Sequence, residues 1–314
     1  METKVAPATA VMRRMVLSAI TKNSRDTGPC FDVLYGVEGV GKSTFANDCE
    51  EPVFIASERG LKSIKCKAKF PEPKCWQDVL DALESLRVDP HGYKTVVIDT
   101  IDMVAQLLMA HVCSREGWTS EGFEKYGRGC KVWLQDWLAL IRALDALQDE
   151  RGMSVLLIAH AVTKRFPNPS GNDYDRFGMN VVGKDAPDLF LRRADSVMFA
   201  AFEELTTDPE KGRVKGISTG IRWLHTVRTA AWDAKNRYGL PARIAFDWET
   251  FSAARTAGLA ESLESMVAEV KSYQPKLAKD RQEKLDVYLT KNAADPVAIA
   301  KAVNRLRAEF GEAA

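Results

Sequence analysis

The stretch YGVEGVGKST, residues 35–44, spaces Gly36, Gly41, Lys42 and Ser43 as G-x-x-x-x-G-K-[ST]. Glycines at these positions let a backbone curl until its N–H groups converge on phosphate oxygens, and the start of a following helix adds partial positive charge. In such a loop Lys42 reaches the β- and γ-phosphates of a nucleoside triphosphate and Ser43 holds Mg²⁺. Val37, Glu38, Gly39, Val40 and Thr44 complete the cradle. A second partner for the metal is expected at the end of a buried strand. KTVVIDTID places Asp99 directly after Val96, Val97 and Ile98, where it would hold Mg²⁺ through a water. Its competing role is to cap the helix that follows. The implied chemistry is Mg²⁺-dependent binding and hydrolysis of ATP.

That chemistry needs a strand before the loop and a helix after it, repeated through an α/β core. CFDVLYG (30–36), PVFIA (52–56), TVVID (95–99), SVLLIAH (154–160) and DSVMFAAF (195–202) are short apolar runs suited to strands covered on both faces. Between them CWQDVLDALESLR, IDMVAQLLMAHV and KVWLQDWLALIRALDALQ carry helical periodicity, and this alternation predicts a mostly parallel sheet. Two polar stretches interrupt it, 114–129 and 162–187, and the second is too long for an ordinary connection. Residues 222–248 read as a β-hairpin or meander. Within them Lys235 and Arg237 stand two apart, on one face of a strand, with no run of acids nearby in sequence. Residues 1–29 read as a short amphipathic helical segment, 30–257 as the core and 258–314 as a helical tail. In that tail Asp295-Pro296 starts a helix striped by Ile299, Val303, Leu306 and Phe310.

Composition sets the limits. With 44 basic against 43 acidic residues, bulk charge does not advertise a polyanion, so any such binding must come from a local patch. The six cysteines show neither C-x-x-C nor zinc spacing and read as reduced thiols of a cytoplasmic protein. Arg13 and Arg14 interrupt the apolar start and argue against a signal peptide, and no apolar run is long enough to span a membrane.

The order of these pieces over residues 30 to 248 resembles the RecA-like P-loop ATPases, and more closely the phage-encoded, AAA-annotated group that accompanies single-strand annealing and recombination. The resemblance implies a RecA-like core and several roles. Glu38 occupies the acidic third position of a RecA-type loop. Glu58, in PVFIASERG, matches the glutamate that orients or deprotonates the attacking water, although the residue alone reads equally as an exposed loop acid. His160, ending SVLLIAH, stands where family members place a polar sensor of the γ-phosphate, often glutamine; the histidine is a departure, and its plainer role is to cap a strand end.

The polar stretches take the places of the family's DNA-contacting loops. The first carries Arg115, Trp118, Lys125, Tyr126 and Arg128; the second carries Lys164, Arg165, Phe166, Tyr174, Arg176, Phe177 and Lys184. Cations interleaved with aromatics suit single-stranded DNA, while Glu121, Glu124, Asp173 and Asp175 dilute the charge. Solvated surface loops are the alternative. DAKNRYGLP resembles the segment whose lysine and arginine reach the γ-phosphate held by a neighbouring subunit, giving Lys235 and Arg237 that role in a homo-oligomeric ring or filament. The alternative is a pair of solvated strand charges. The resemblance thus implies an ATPase acting on single-stranded DNA, with a single-strand-binding protein as a further partner. The rival readings are a helicase-like DNA motor and a nucleotide-dependent protein-binding switch without DNA contact.

Overall fold

The computed structural model describes residues 28–57, 64–124, 128–182, 185–206, 216–277 and 279–292, with isolated positions at 299, 302, 305, 306, 309 and 310. The wholly apolar runs become strands covered on both faces. β1 (Phe31–Gly36), β2 (Pro52–Ala56) and β3 (Thr95–Asp99) are buried at every residue. With the first half of β4 (Ser154–Phe166) and with β6 (Ser196–Thr206), they form a parallel sheet in the order β2-β3-β4-β1-β6. The expected α/β architecture, a mostly parallel sheet between helices, is therefore present.

Alternation along β1 sorts the two layers. Phe31, Val33 and Tyr35 face a core that includes Trp76, Val104, Trp137 and Phe190, while Leu34 faces a smaller one with Phe45, Phe246 and Phe251. The first layer is built by α2 (Trp76–Val88), α3 (Ile101–Glu116), α6 (Leu134–Arg151) and α7 (Asp185–Arg193). Trp137 locks it, meeting Trp76, Trp133 and Phe190 edge-on at 5.9, 5.6 and 5.3 Å between ring centroids. The second layer uses α1 (Lys42–Asn47) and the start of α8 (Trp248–Tyr273).

Both polar stretches fold where loops were expected. The first contains the end of α3, then α4 (Ser120–Glu124) and the start of α5 (Arg128–Val132). In the second, β4 continues through Phe166 and turns back as β5 (Tyr174–Met179), pairing Arg165 with Asp175 and Phe166 with Tyr174. The root of this hairpin is His160, level with Gly36, so it grows from the sheet edge that carries the phosphate loop. The predicted meander also pairs: β7 (Gly216–His225) and β9 (Arg243–Ala245) extend the sheet antiparallel beyond β6, and β8 (Lys235–Asn236) pairs with the first residues of β6.

By internal contacts the chain divides into a unit spanning residues 28–259 and a second that includes 260–314. In the second, α9 (Lys279–Lys291) contributes Leu289 to a small core with Val270, Leu277, Ile299 and Leu306. The predicted helix start at Asp295-Pro296, Val303 of its stripe, and the predicted N-terminal helix lie outside the described residues. Among the described residues no helix is long and apolar enough to cross a membrane.

Candidate functional site

The loop after β1 is shaped by close approach. The Val37 N–H donates to the Ala200 carbonyl at 3.1 Å, and a Cβ on Gly36 would lie 2.3 Å from that oxygen. Only glycine lets the strand end pass there. Gly39 and Gly41 then take φ of 72° and 102°, the left-handed region glycine enters without strain. Lys42 folds inward, its Nζ donating to the Gly36 and Val37 carbonyls at 3.0 Å each. These are oxygens of the loop that the lysine would otherwise span to reach a phosphate.

Ser43 and Asp99 meet although 56 residues separate them. The Ser43 hydroxyl donates to Asp99 Oδ2 at 2.6 Å, at the buried end of β3. A hydroxyl and a carboxylate so placed beside a glycine-rich turn are the hard oxygen ligands Mg²⁺ prefers, so these residues fit a Mg²⁺–nucleotide. Among the described residues no three His, Cys, Asp or Glu side chains gather as a metal site independent of nucleotide. The Ser57 N–H donates to the Asp99 carbonyl at 2.9 Å, tying the end of β2 to the same point. Glu58, next in sequence, lies outside the described residues, and Glu38 is exposed on the loop.

His160 has a partner that motif reading missed. Asp102, in the first turn of α3, accepts from the His160 N–H at 3.1 Å and lies 2.8 Å from its ring Nδ1. Burial alone would raise the Asp102 carboxyl, but these bonds outweigh it and hold the group below the usual carboxylate range. A carboxylate can only accept, so Nδ1 carries the proton. Nε2 can then donate to a phosphate only in the imidazolium form. The signal in the sequence was the second acid of the VVIDTID run.

The cations expected to track DNA are unevenly available. In the hairpin, Arg165 is exposed and pairs loosely with Asp175 at 3.3 Å. Lys164 instead donates to the Met179 and Val181 carbonyls, at 2.8 and 3.3 Å, and burial lowers its pKa. Arg176 is buried, lies over the Phe166 ring and pairs with Asp233. The three cations therefore differ in availability: Lys164 and Arg165 are exposed, Arg176 is buried. On a two-stranded ribbon, alternate residues take opposite faces: Lys164 and Arg176 stand opposite each other on one face, and Arg165 and Asp175 on the other. From the first stretch, Arg128 stacks over Trp118 at 4.0 Å, and Arg115 is engaged bidentately by Asp136 at 2.9 and 3.0 Å. Lys125 and Lys184 lie outside the described residues.

Lys235 and Arg237 also find partners, which come from distant sequence. Lys235 donates to the carbonyls of Leu191 and Arg192 at 3.0 and 2.9 Å, closing the last turn of α7. Arg237, about half exposed, pairs with Asp195 at 3.1 Å. The absence of neutralising acids read from local sequence is thereby corrected. Strand register sets Lys235 beside Val197, level with Val33, and Arg237 bonds Asp195, which bonds Phe31. Arg237 thus stands five residues below Gly36, roughly 17 Å along the strands, and does not serve the phosphate loop of its own chain.

A model for the family described as AAA domain matches residues 32–238, most of the first unit. No curated protein matches significantly. Among solved structures, that of the RadB recombinase is similar at 11% identity, with a TM-score of 0.35, covering 67% of this chain and 91% of that one.

Proposed function

The chain belongs to the AAA domain family, and from that premise we propose that it binds and hydrolyses ATP while acting on single-stranded DNA in recombination or annealing. It would stand with the phage-encoded RecA-like ATPases. The observation that carries the nucleotide half is the Ser43–Asp99 contact at the mouth of the glycine-rich loop. A bound Mg²⁺ would be held by Ser43 and Asp99 and would supply positive charge that neutralises the nucleotide's phosphates. Lys42 leaves the Gly36 and Val37 carbonyls for phosphate oxygens, a stronger charge-assisted contact. Glu58 takes the place beside the attacking water, and His160, held by Asp102, reads the γ-phosphate.

Single-stranded DNA would meet the β4–β5 hairpin, whose exposed Arg165 and tip aromatics Phe166 and Tyr174, at 5.2 Å between rings, suit phosphate and base contact. Arg128 would add to this from the first stretch. His160 lies at the root of the same continuous strand, so a nucleotide signal has a short path to the hairpin. In a ring or filament of identical subunits, Lys235 and Arg237 would complete the neighbour's site. A single-strand-binding protein is the further partner this reading suggests. A second reading, a nucleotide switch that binds protein instead of DNA, is favoured by the engagement of the Lys164 ammonium with backbone carbonyls and the burial of Arg176.

Phosphate release with and without single-stranded oligonucleotides, together with filter binding over a salt series, tests the proposal. Expected are Mg²⁺-dependent hydrolysis stimulated by DNA and an affinity that falls steeply with salt. Hydrolysis indifferent to DNA, with no binding at any salt, would leave the switch reading in its place.

A further inference from the structure

A cation of the same chain stands against the phosphate loop, where neither the motif nor the proposed mechanism uses it. β7 sets Arg222 opposite Phe202, two residues past the level of Gly36. Arg222 shares a strand face with buried Leu224. The Phe246 N–H donates to the Arg222 carbonyl at 3.2 Å, and the guanidinium stands 5.7 Å from the centre of the Phe246 ring. Phe246 is itself stacked on Phe45 of α1, with centroids 5.1 Å apart. From this footing Arg222 Nη1 donates to the Val40 carbonyl at 3.1 Å. A Cβ on Gly41 would come within 2.7 Å of the same nitrogen. The guanidinium therefore lies directly on the Val40–Gly41 peptide.

We infer that Arg222 is a positioning residue for nucleotide binding, fixing the Val40–Gly41 peptide so that the Gly41 N–H faces the β-phosphate. The inference rests on the nucleotide-binding reading above. A trans peptide points its C=O and N–H in opposite directions. Holding the Val40 oxygen toward Arg222 turns the Gly41 N–H to the other side. Without that hold, Gly41 has no Cβ to resist rotation. The reversed peptide would present a carbonyl oxygen to an anion in place of a donor. Arg222 thus preorganises the cradle from behind and couples it to the antiparallel edge of the sheet through β7.

Calorimetric titration of the full chain with Mg-ADP and Mg-ATP tests this, with Lys42→Ala as the control. Arg222→Met should weaken ADP and ATP alike by about tenfold, in the range of one oriented hydrogen bond to a charged group. Arg222→Lys, which keeps a cationic donor, should recover part of that loss. Should Arg222→Met fail to fold, Arg222→Gln carries the comparison, with an expected loss of about threefold. A loss confined to ATP would put Arg222 on the γ-phosphate and overturn the positioning role, as would unchanged binding of both nucleotides or no recovery with lysine. If wild type and Lys42→Ala both ignore ATP, the nucleotide reading itself falls. If only Lys42→Ala loses ATP while Arg222→Met titrates like wild type, this inference alone falls.

Discussion

The Asp102 carboxylate grips His160 twice, through the backbone N–H at 3.1 Å and the ring Nδ1 at 2.8 Å. One acid thereby fixes both the strand end and the imidazole's orientation. If His160 reads the γ-phosphate, His160→Gln, whose amide also donates, should keep ATP binding and much of the hydrolysis, while His160→Ala should keep binding and lose hydrolysis. Equal hydrolysis by wild type and His160→Ala would remove His160 from the γ-phosphate.

Asp102 also gives a stability signature. Its folded carboxyl lies below the usual range because of His160, despite burial that pushes the other way. The stabilisation is present above the unfolded value of about 4 and is lost as pH falls through the folded value. The stability difference between wild type and Asp102→Asn, from urea melts, should shrink as pH drops below about 4. A difference constant down to the acid limit would contradict the assignment.

Asp32 predicts the opposite slope. It is buried on β1, accepts from Ser196 and Tyr238 at 2.7 and 2.9 Å, and lies 3.6 Å from Arg255. Burial raises its carboxyl to about 6, only partly offset by Arg255 and the two hydroxyls. Between about pH 4 and 6 the folded state holds a proton the unfolded chain has released, so stability falls as pH rises through that window. Relative to Asp32→Asn, wild type should lose up to about 3 kcal/mol across it and then run parallel. Parallel curves throughout would refute the shift.

For the cations at β8, Arg237→Ala should still bind ATP yet lose DNA-stimulated hydrolysis by about 10³-fold or more, the scale of a finger supplied by a neighbour. Mixed with Lys42→Ala subunits, it should regain activity only where the two kinds adjoin. Full turnover by isolated wild-type monomers would end the cross-subunit idea.

The hairpin arginines should separate cleanly. Arg165→Ala should weaken single-stranded DNA binding and lower the salt slope by about one, with the melting curve unchanged. Arg176→Ala should lower stability, because it removes the buried cation between Asp233 and the Phe166 ring, although Arg228 still pairs with Asp233 at 3.3 Å. Equal effects of the two on DNA binding at full stability would contradict the inward placement of Arg176.

How legible this was in the sequence depended on whether chemistry and neighbours share a local run. Gly36 to Thr44 form a contiguous motif with its strand and helix adjoining, and Asp99 ends an unmistakable apolar run. The parallel core was legible because buried strands between helical segments leave short apolar blocks. The hairpin was not, because charged residues such as Lys164, Arg165, Asp175 and Arg176 fall on both of its faces and erase the contrast that marks a strand. Asp195 under Arg237, the α7 carbonyls under Lys235, and Arg222 behind Gly41 are pairings between remote segments. No periodicity announces them.

On the cross-subunit proposal, the tethering of Lys235 to the end of α7 and of Arg237 to Asp195 would work as a safety catch. Within one chain Lys235 is held by the Leu191 and Arg192 carbonyls, and Arg237, about half exposed, is held by Asp195. Whatever draws them out must outbid a carboxylate and two carbonyl dipoles, and a polyphosphate presented by an adjoining copy has the charge to do so. Idle copies would then stay silent, and firing would require a loaded neighbour.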